Sequence, residues 1–96
     1  MIFKFLPAAR EELDAAASYL DERSAGLGVE LLHDVERTAS LAHEFTSIGR
    51  PIDPIHRQLP LQRFSYYLAY RVSAGTILIV AVAHKRRRPG YWRTRR

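Results

Sequence analysis

The sequence of 96 residues contains no cysteine, which excludes disulfide bonds and thiolate metal sites. It also has no apolar run of the roughly 18 residues that a membrane-spanning helix needs. The longest apolar run, Thr76 to Ala83, is only long enough for a strand. The N-terminal residues lack the basic segment, apolar stretch and cleavage site of a signal peptide. We therefore expect a cytoplasmic protein with no membrane association.

The local signatures of the common catalytic sites are also missing. We find no serine-nucleophile motif, no glycine-rich phosphate loop and no paired-carboxylate signature. The four histidines show neither HxxH nor HxH spacing. The sequence therefore predicts no metal site and no cofactor.

Acidic residues are scarce in the second half of the chain. Residues 1–50 carry five basic and nine acidic side chains, a net charge of −4. Residues 51–96 carry ten basic side chains and one acid, Asp53, a net charge of +9. Such a charge distribution favours binding to phosphate backbones or to an acidic protein, and both remain open at this point.

Two amphipathic helices are predicted in the first half. Pro7 suits the first turn of a helix, and Ser24 to Gly28 should end it. Its narrow apolar face consists of Ala9, Leu13, Ala16, Ala17 and Leu20. The second helix has a stripe of Leu27 or Leu31, Leu32, Val35, Ala39, Ala42 and Phe45. The short link between the helices predicts an antiparallel hairpin.

Strands are predicted on both sides of this hairpin. A short one is expected at Ile2 to Leu6, and Thr46 to Pro54 should form a loop. Alternating apolar residues then indicate strands at His56 to Leu61, at Tyr66 to Val72 and at Thr76 to Ala83. The sequence thus predicts one α+β domain over residues 1–96, of order βααβββ. The last three strands should form an antiparallel meander in one sheet.

The last strand is apolar on both sides. Regular alternation places Ile77, Ile79 and Ala81 on one face and Leu78, Val80 and Val82 on the other. A strand of this kind needs cover on both faces. The helices can cover one face. The other must be covered by the chain's own C-terminal residues, by a second copy or by a partner.

Basic and aromatic residues follow this strand directly. Lys85 to Arg88 can hold phosphates or carboxylates, whereas Arg95 and Arg96 are expected to lie in a solvated tail. Trp92 can either plug the end of the core or stack on bases, and Tyr91 can stack or take part in proton transfer. His84 is a candidate phosphate donor or acid–base group, or it satisfies a hydrogen bond at the strand end.

These features together resemble the RelE/ParE superfamily of bacterial type II toxins. The resemblance is carried by Phe5–Leu13, Gly26–Gly28, Arg63–Val72 and Ile77–His84, and by Arg87, Pro89, Tyr91 and Trp92. It implies a growth-arresting toxin that is held inactive, in a hetero-oligomer, by a cognate antitoxin wrapped around the helices and the sheet. We expect the antitoxin to contact Leu13, Leu20, Leu32, Val80 and Val82.

The superfamily divides by target. RelE-type members are ribosome-dependent mRNA endoribonucleases that need no metal, and His84, Lys85, Arg87 and Tyr91 are similar to their C-terminal catalytic residues. The lysine pair of that group, however, falls near Gln58 and Pro60, and a further arginine falls at Tyr67.

The pattern His84-x-x-Arg87-x-Pro89 is more similar to ParE-type members, which bind DNA gyrase and do no chemistry. We therefore favour a ParE-like gyrase inhibitor. A RelE-like nuclease and a small basic nucleic-acid-binding module are the alternatives, although no RNP or helix-turn-helix pattern supports the last. The expected target-binding residues are Arg57, Arg63, His84, Arg86, Arg87, Arg88, Tyr91 and Trp92.

Overall fold

The computed structural model describes residues 3–96. The elements are β1 (Phe3–Phe5), α1 (Pro7–Arg23), α2 (Leu27–Glu44), β2 (Arg50–Pro51), β3 (Arg57–Pro60), β4 (Tyr66–Ser73) and β5 (Thr76–His84). All strands join one sheet in the order β1-β5-β4-β3-β2. No helix in the described part of the chain is long and apolar enough to cross a membrane.

The predicted α+β class and the predicted helices and main strands are confirmed, and two details of the sheet are wrong. Arg50–Pro51, within the predicted loop, pairs with β3 as a short antiparallel strand. β1 pairs in parallel with β5, so the sheet is mixed. Ile2, the first residue of the predicted N-terminal strand, lies outside the described residues.

A β-bulge at Val80 changes which side chains of β5 face the helices. The register with β4 shifts at this point, so that Val80 is the extra residue. Ile77 and Ile79 pack against the helices as one set, but beyond the bulge it is Val82 that joins them. Ala81 lies on the opposite side. The predicted face is therefore correct for Val80 and wrong for Ala81 and Val82, which follow the bulge.

The sheet has a core on each face. On the helical side the core consists of Ala9, Leu13, Ala16, Leu31, Val35, Ala39, Ala42, Leu61, Leu68, Tyr70, Ile77, Ile79 and Val82. On the other side it consists of Tyr67, Ala69, Val80, Ala81, Ala83 and Trp92. Trp92, which belongs to the C-terminal segment (Pro89–Arg96), is 0% exposed, and its Nε1 donates to the Tyr67 hydroxyl at 2.9 Å. Of the three possible covers for this face, the chain's own C-terminal residues are therefore the one observed.

Close contact between the two helices depends on Gly28. A Cβ atom there would lie 2.8 Å from the Ala17 carbonyl oxygen, which is too close for any other residue. The backbone N–H of Gly28 donates to Asp21 Oδ1 at 2.8 Å. The predicted break between the helices thus also sets their separation.

A buried acid on α2 fixes the loop that connects β3 to β4. Asp34 accepts hydrogen bonds from the backbone N–H of Gln62 at 3.3 Å and of Arg63 at 2.9 Å, and from Arg37 Nη2 at 3.0 Å. Burial raises the pKa of Asp34, but these hydrogen bonds outweigh it and hold the pKa below its usual value. The carboxylate therefore ties the helical layer to the sheet.

Candidate functional site

The basic turn (Lys85–Arg88) leaves the end of β5 in a fixed conformation. The backbone N–H of Lys85 donates to the Ser65 carbonyl at 3.0 Å, and that of Arg87 donates to the His84 carbonyl at 3.0 Å. The backbone N–H of Arg86 donates to His84 Nδ1 at 3.0 Å, so neutral His84 carries its proton on Nε2. All four side chains of the turn are exposed. The fold thus displays four cationic groups from an ordered strand end.

Glu12 on α1 holds the C-terminal segment against the bulge of β5. Its Oε1 accepts the backbone N–H of Val82 at 3.1 Å, and Arg95 forms a two-point contact with both carboxylate oxygens at 2.8 and 3.0 Å. Arg95 Nη1 also donates to the Val80 carbonyl at 3.0 Å. Backbone groups on both sides of the bulge therefore find side-chain partners.

The expectation that Arg95 belongs to a solvated tail is wrong. Its side chain is only 22% exposed, because it lies between α1 and β5 to reach Glu12. Nothing in the local sequence indicates this contact, since Glu12 and Arg95 lie 83 residues apart.

Tyr91 donates its hydroxyl hydrogen to Glu12 Oε2. Burial raises the pKa of Tyr91, and the hydrogen bond and negative charge of Glu12 raise it further, whereas Arg87 and Arg95 act in the opposite direction. The Arg87 guanidinium lies 3.9 Å from the centre of the Tyr91 ring, and its Nη1 is 3.7 Å from Glu12 Oε2. A phenol in this environment is a poor general base.

A second anchor of the C-terminal segment lies between β2 and β3. Asp53 Oδ2 contacts His56 Nδ1 at 2.9 Å and accepts from Arg93 Nε at 3.1 Å. Burial raises the pKa of Asp53, but hydrogen bonds from the His56 ring and from the backbone N–H of Ile55 and His56 hold it well below the usual range. The His56 ring is buried edge-on against Trp92, with 5.0 Å between the ring centres. The only indication of this site in the sequence is that Asp53 is the single acidic residue among residues 51–96.

An open cleft of about 680 Å³ lies between the basic turn and the β2–β3 side of the sheet. We call it the basic cleft. It is lined by Ile48, Arg50, Pro51, Ile52, Gln58, Leu59, Pro60, Tyr67, Lys85, Arg87, Pro89 and Gly90. Three of these residues are cationic and none is acidic. Within residues 3–96, Arg50 and Lys85 make no ion pair, so their charges are available to a partner.

Two of the arginines expected to bind a target are engaged inside the protein. Arg57 Nη1 donates to the carbonyls of Ser47 at 3.2 Å and Gly49 at 2.8 Å. Arg63 pairs with Glu30 of α2. Both guanidinium groups hold chain segments together, and neither lines the basic cleft.

Trp92 must be removed from the expected target surface, because its side chain is buried beneath the C-terminal segment. Tyr91 is half-buried and turned toward Glu12. Among the expected target-binding residues, Arg86, Arg87 and Arg88 are exposed on the basic turn, and His84 lies half-buried at its start.

The residues expected to bind an antitoxin are largely internal. Val80 and Val82 are buried under the C-terminal segment and under the helices respectively, so neither can form a docking surface. Leu20 is half-buried. Leu13, although 1% exposed, lines an open groove with the half-buried Leu32.

This groove runs beside β1 and measures about 510 Å³. It is lined by Phe3, Lys4, Phe5, Arg10, Leu13, Leu32, Val35 and Glu36. We call it the β1 groove. Because β1 is the terminal strand of the sheet, its outer edge is not paired with another strand.

Comparison with known proteins places this geometry in a family. The family model described as "ParE toxin of type II toxin-antitoxin system, parDE" matches residues 3–89. A solved structure described as "Chromosomal ParDE TA system from P. aeruginosa" shares the fold, with a TM-score of 0.73 at 20% sequence identity over 88% of this chain and 95% of that one. No curated protein matches this sequence significantly. The resemblance predicted from the sequence is confirmed, and the chain belongs to the ParE toxin family of type II toxin–antitoxin systems.

Proposed function

We propose that this toxin arrests growth in the cytoplasm by binding DNA gyrase and that a cognate antitoxin holds it inactive. Membership of the ParE toxin family supports the toxin role. The observation that favours binding over RNA cleavage is the hydrogen bond from Tyr91 to Glu12. It occupies the phenol that a RelE-like nuclease would need for proton transfer.

The charges around this phenol also favour a binding protein. The positions similar to the RelE lysine pair hold Gln58 and Pro60, and the position of the further arginine holds Tyr67. Tyr67 is 7% exposed and bonded to Trp92. Losing one group that stabilises transition-state charge costs an enzyme about 3–4 kcal/mol. A site without three of them retains little capacity for phosphodiester cleavage.

We propose that the basic turn is the principal target contact. Arg86 and Arg88 are exposed and make no ion pair within the described residues. Arg87 is also exposed, lies over the Tyr91 ring and makes one long ion pair, to Glu12. A rigid cluster of cations accelerates association with an acidic surface and aligns its carboxylates.

We propose that the antitoxin docks in the β1 groove. The unpaired edge of β1 can accept an added strand, and the adjoining apolar side chains, Phe3, Phe5 and Leu32, can receive its alternate residues. Lys4 and Arg10 lie in the same groove and suit acidic residues on that strand. Leu13 and Leu32 line this groove and remain in the proposal, whereas Leu20, Val80 and Val82 do not line it.

Supercoiling by purified gyrase tests the target. We expect the wild-type toxin to inhibit supercoiling and the double variant Arg86→Glu/Arg88→Glu to inhibit at least tenfold less. The double variant Arg23→Glu/Arg96→Glu is the matched control, because it changes the net charge equally at exposed positions that are not part of the turn. Inhibition that is equal in both variants would show that the turn is not the contact.

A translation extract tests the nuclease alternative. Specific transcript cleavage that disappears in Tyr91→Phe would establish catalysis and refute the binding proposal. We expect no cleavage by the wild type, and we expect Tyr91→Phe to retain gyrase inhibition because its ring still packs beneath Arg87.

A further inference from the structure

From the lining of the basic cleft we infer that it binds an extended acidic peptide segment of the toxin's target, with carboxylates about six residues apart on either side of apolar residues. This inference rests on the proposed function in assigning the segment to the target. The chemistry of the cleft itself is argued from its charges, its floor and its missing stacking surfaces.

The charges stand on opposite walls. Arg50 lies on β2, and Lys85 and Arg87 follow β5, with β3 and β4 between them. Three strand spacings separate the two walls laterally, which is about 14 Å at about 4.8 Å per spacing. Arg50 is level with Ala81 in the sheet, and Lys85 lies four residues, about 13 Å, farther along the chain, so the diagonal between the two positions is about 20 Å. An extended chain rises about 3.3 Å per residue, so about six residues span this distance. Carboxylates at the two ends of such a segment would each meet a cation.

The floor of the cleft between these walls is largely apolar. Ile52, Pro60 and Tyr67 line it together with Gln58, whereas the side chain of Leu59 packs against the helical core on the other face of the sheet. A segment charged throughout its length would place charged groups against these apolar side chains. A central aliphatic side chain would instead bury apolar surface against them. The cleft is thus suited to apolar residues flanked by acids.

A nucleic acid fits this cleft less well. Binding of single-stranded nucleic acid draws much of its energy from bases stacked on exposed aromatic faces. The aromatic residues nearest the cleft cannot provide such faces, because Tyr67 is 7% exposed and Trp92 is 0% exposed, each bonded to the other. The carboxylate and the phosphate share the affinity for arginine, but only a peptide also uses the apolar floor.

The mode of binding should depend on side chains instead of added strand pairing. β2 forms this edge of the sheet and consists of only two residues, of which Pro51 has no N–H to donate. The partner segment would therefore lie across the strands, held at its ends by Arg50 and Lys85.

Amide NMR of the full-length toxin tests the cleft without gyrase. The probe is a seven-residue peptide, acetyl-Glu-Ala-Leu-Val-Leu-Ala-Glu-amide, with its Gln-for-Glu analogue as the uncharged control. We expect the acidic peptide to shift the amide signals of Leu59, Tyr67 and Gly90 and the analogue to bind at least tenfold more weakly. Thymidine oligonucleotides of matched charge should leave these signals in place.

Matched variants identify the charges that matter. Arg50→Glu/Lys85→Glu should weaken binding of the acidic peptide at least tenfold, and Arg50→Ala/Lys85→Ala should weaken it less. Arg23→Glu/Arg96→Glu carries the same net charge as the first variant and should bind like the wild type. Since Arg50 and Lys85 are exposed and unpaired in the described chain, the amide spectra of these variants should keep their dispersion.

The outcomes separate this inference from the proposed function. Peptide binding in the cleft without any inhibition of gyrase would support the cleft and refute the gyrase target. Gyrase inhibition with no amide shifts from the peptide, or with equal shifts from the oligonucleotide, would overturn the inference while leaving the target intact. Loss of both peptide binding and gyrase inhibition in Arg50→Glu/Lys85→Glu, but not in Arg23→Glu/Arg96→Glu, would support both.

Discussion

Replacing Glu12 by alanine should destabilise the toxin by about 3 kcal/mol. The substitution leaves the backbone N–H of Val82 without an acceptor, at a cost of about 1–3 kcal/mol. It also removes the hydrogen-bonded ion pair with Arg95, which contributes about 1.5–3 kcal/mol when a charged group is involved. The side chains of Glu12 and Arg95 are 15% and 22% exposed, so water partly screens their interaction. The lower part of both ranges therefore applies.

Equilibrium unfolding in urea, followed by the fluorescence of the sole tryptophan, measures this effect. Trp92 is fully buried beneath the segment that Glu12 holds, so its signal reports on the same region. Glu11→Ala is the matched control, since Glu11 is the exposed neighbour on α1 and makes no hydrogen bond within residues 3–96. It should change the free energy of unfolding by no more than about 0.5 kcal/mol.

A double-mutant cycle tests the reasoning more closely. Glu12→Ala and Arg95→Ala should together cost about 1–2 kcal/mol less than the sum of the two single substitutions, because each removes the same pair. Strict additivity, or a Glu12→Ala cost that equals the Glu11→Ala cost, would refute the assignment of Glu12 as the anchor of the C-terminal segment.

Three further predictions follow from single contacts. Because the pKa of Asp34 is lowered on folding, its stabilisation should be present above about pH 4 and lost as the pH falls. Asp34→Asn should therefore weaken the pH dependence of the urea midpoint between pH 2 and 5, and parallel curves for the variant and the wild type would contradict this. Because the pKa of Tyr91 is raised on folding, its stabilisation should be present below about pH 10 and lost as the pH rises. Tyr91→Phe should therefore lose less stability than the wild type at alkaline pH in urea unfolding, and an unchanged dependence of the urea midpoint on pH would count against this. Gly49→Ala should lower the free energy of unfolding in urea by about 1–3 kcal/mol, because its Cβ would lie 2.5 Å from the Tyr70 hydroxyl. Ser47→Ala is the nearby control and should leave the stability unchanged, so equal stabilities of the two variants would be inconsistent with this contact.

The elements with strong periodicity could be predicted from the sequence. The stripe of α2 that includes Leu31, Val35 and Ala39 is buried as expected. In β4 the alternation of Leu68 with Ala69 gives the two faces correctly. In these segments the local pattern and the tertiary burial agree, so either one is sufficient to identify the element.

The remaining features depend on contacts that no local pattern encodes. The bulge falls on Val80, an ordinary strand residue, so regular alternation misplaces Val82. Glu12 of α1 binds a residue far along the chain, and no helical pattern indicates this contact. β2 consists of only two residues, one of them Pro51, so it shows no alternation. These features depend on contacts between the helical layer and the sheet, and such contacts join residues that are far apart in the sequence.

The candidate site was predictable in composition but not in arrangement. The exposed cations of the basic turn follow directly from the run Lys85–Arg88. No sequence pattern indicates that Arg50 lines the same cleft as Lys85, since this depends on the unexpected strand β2. Nor did it show that Arg57 and Arg63 would be held by internal contacts.

One inserted residue in β5 determines which side-chain sizes the rest of that strand tolerates. Beyond Val80, the alanines at positions 81 and 83 share a cluster with the indole of Trp92, and Ala69 of β4 completes this shallow socket. A regular strand that kept Val80 but lacked the bulge would present Val82 to the ring in place of Ala81, even though every residue of the strand would stay apolar. Natural variants of this toxin should therefore change in bulk on the helical side more freely than inside the socket.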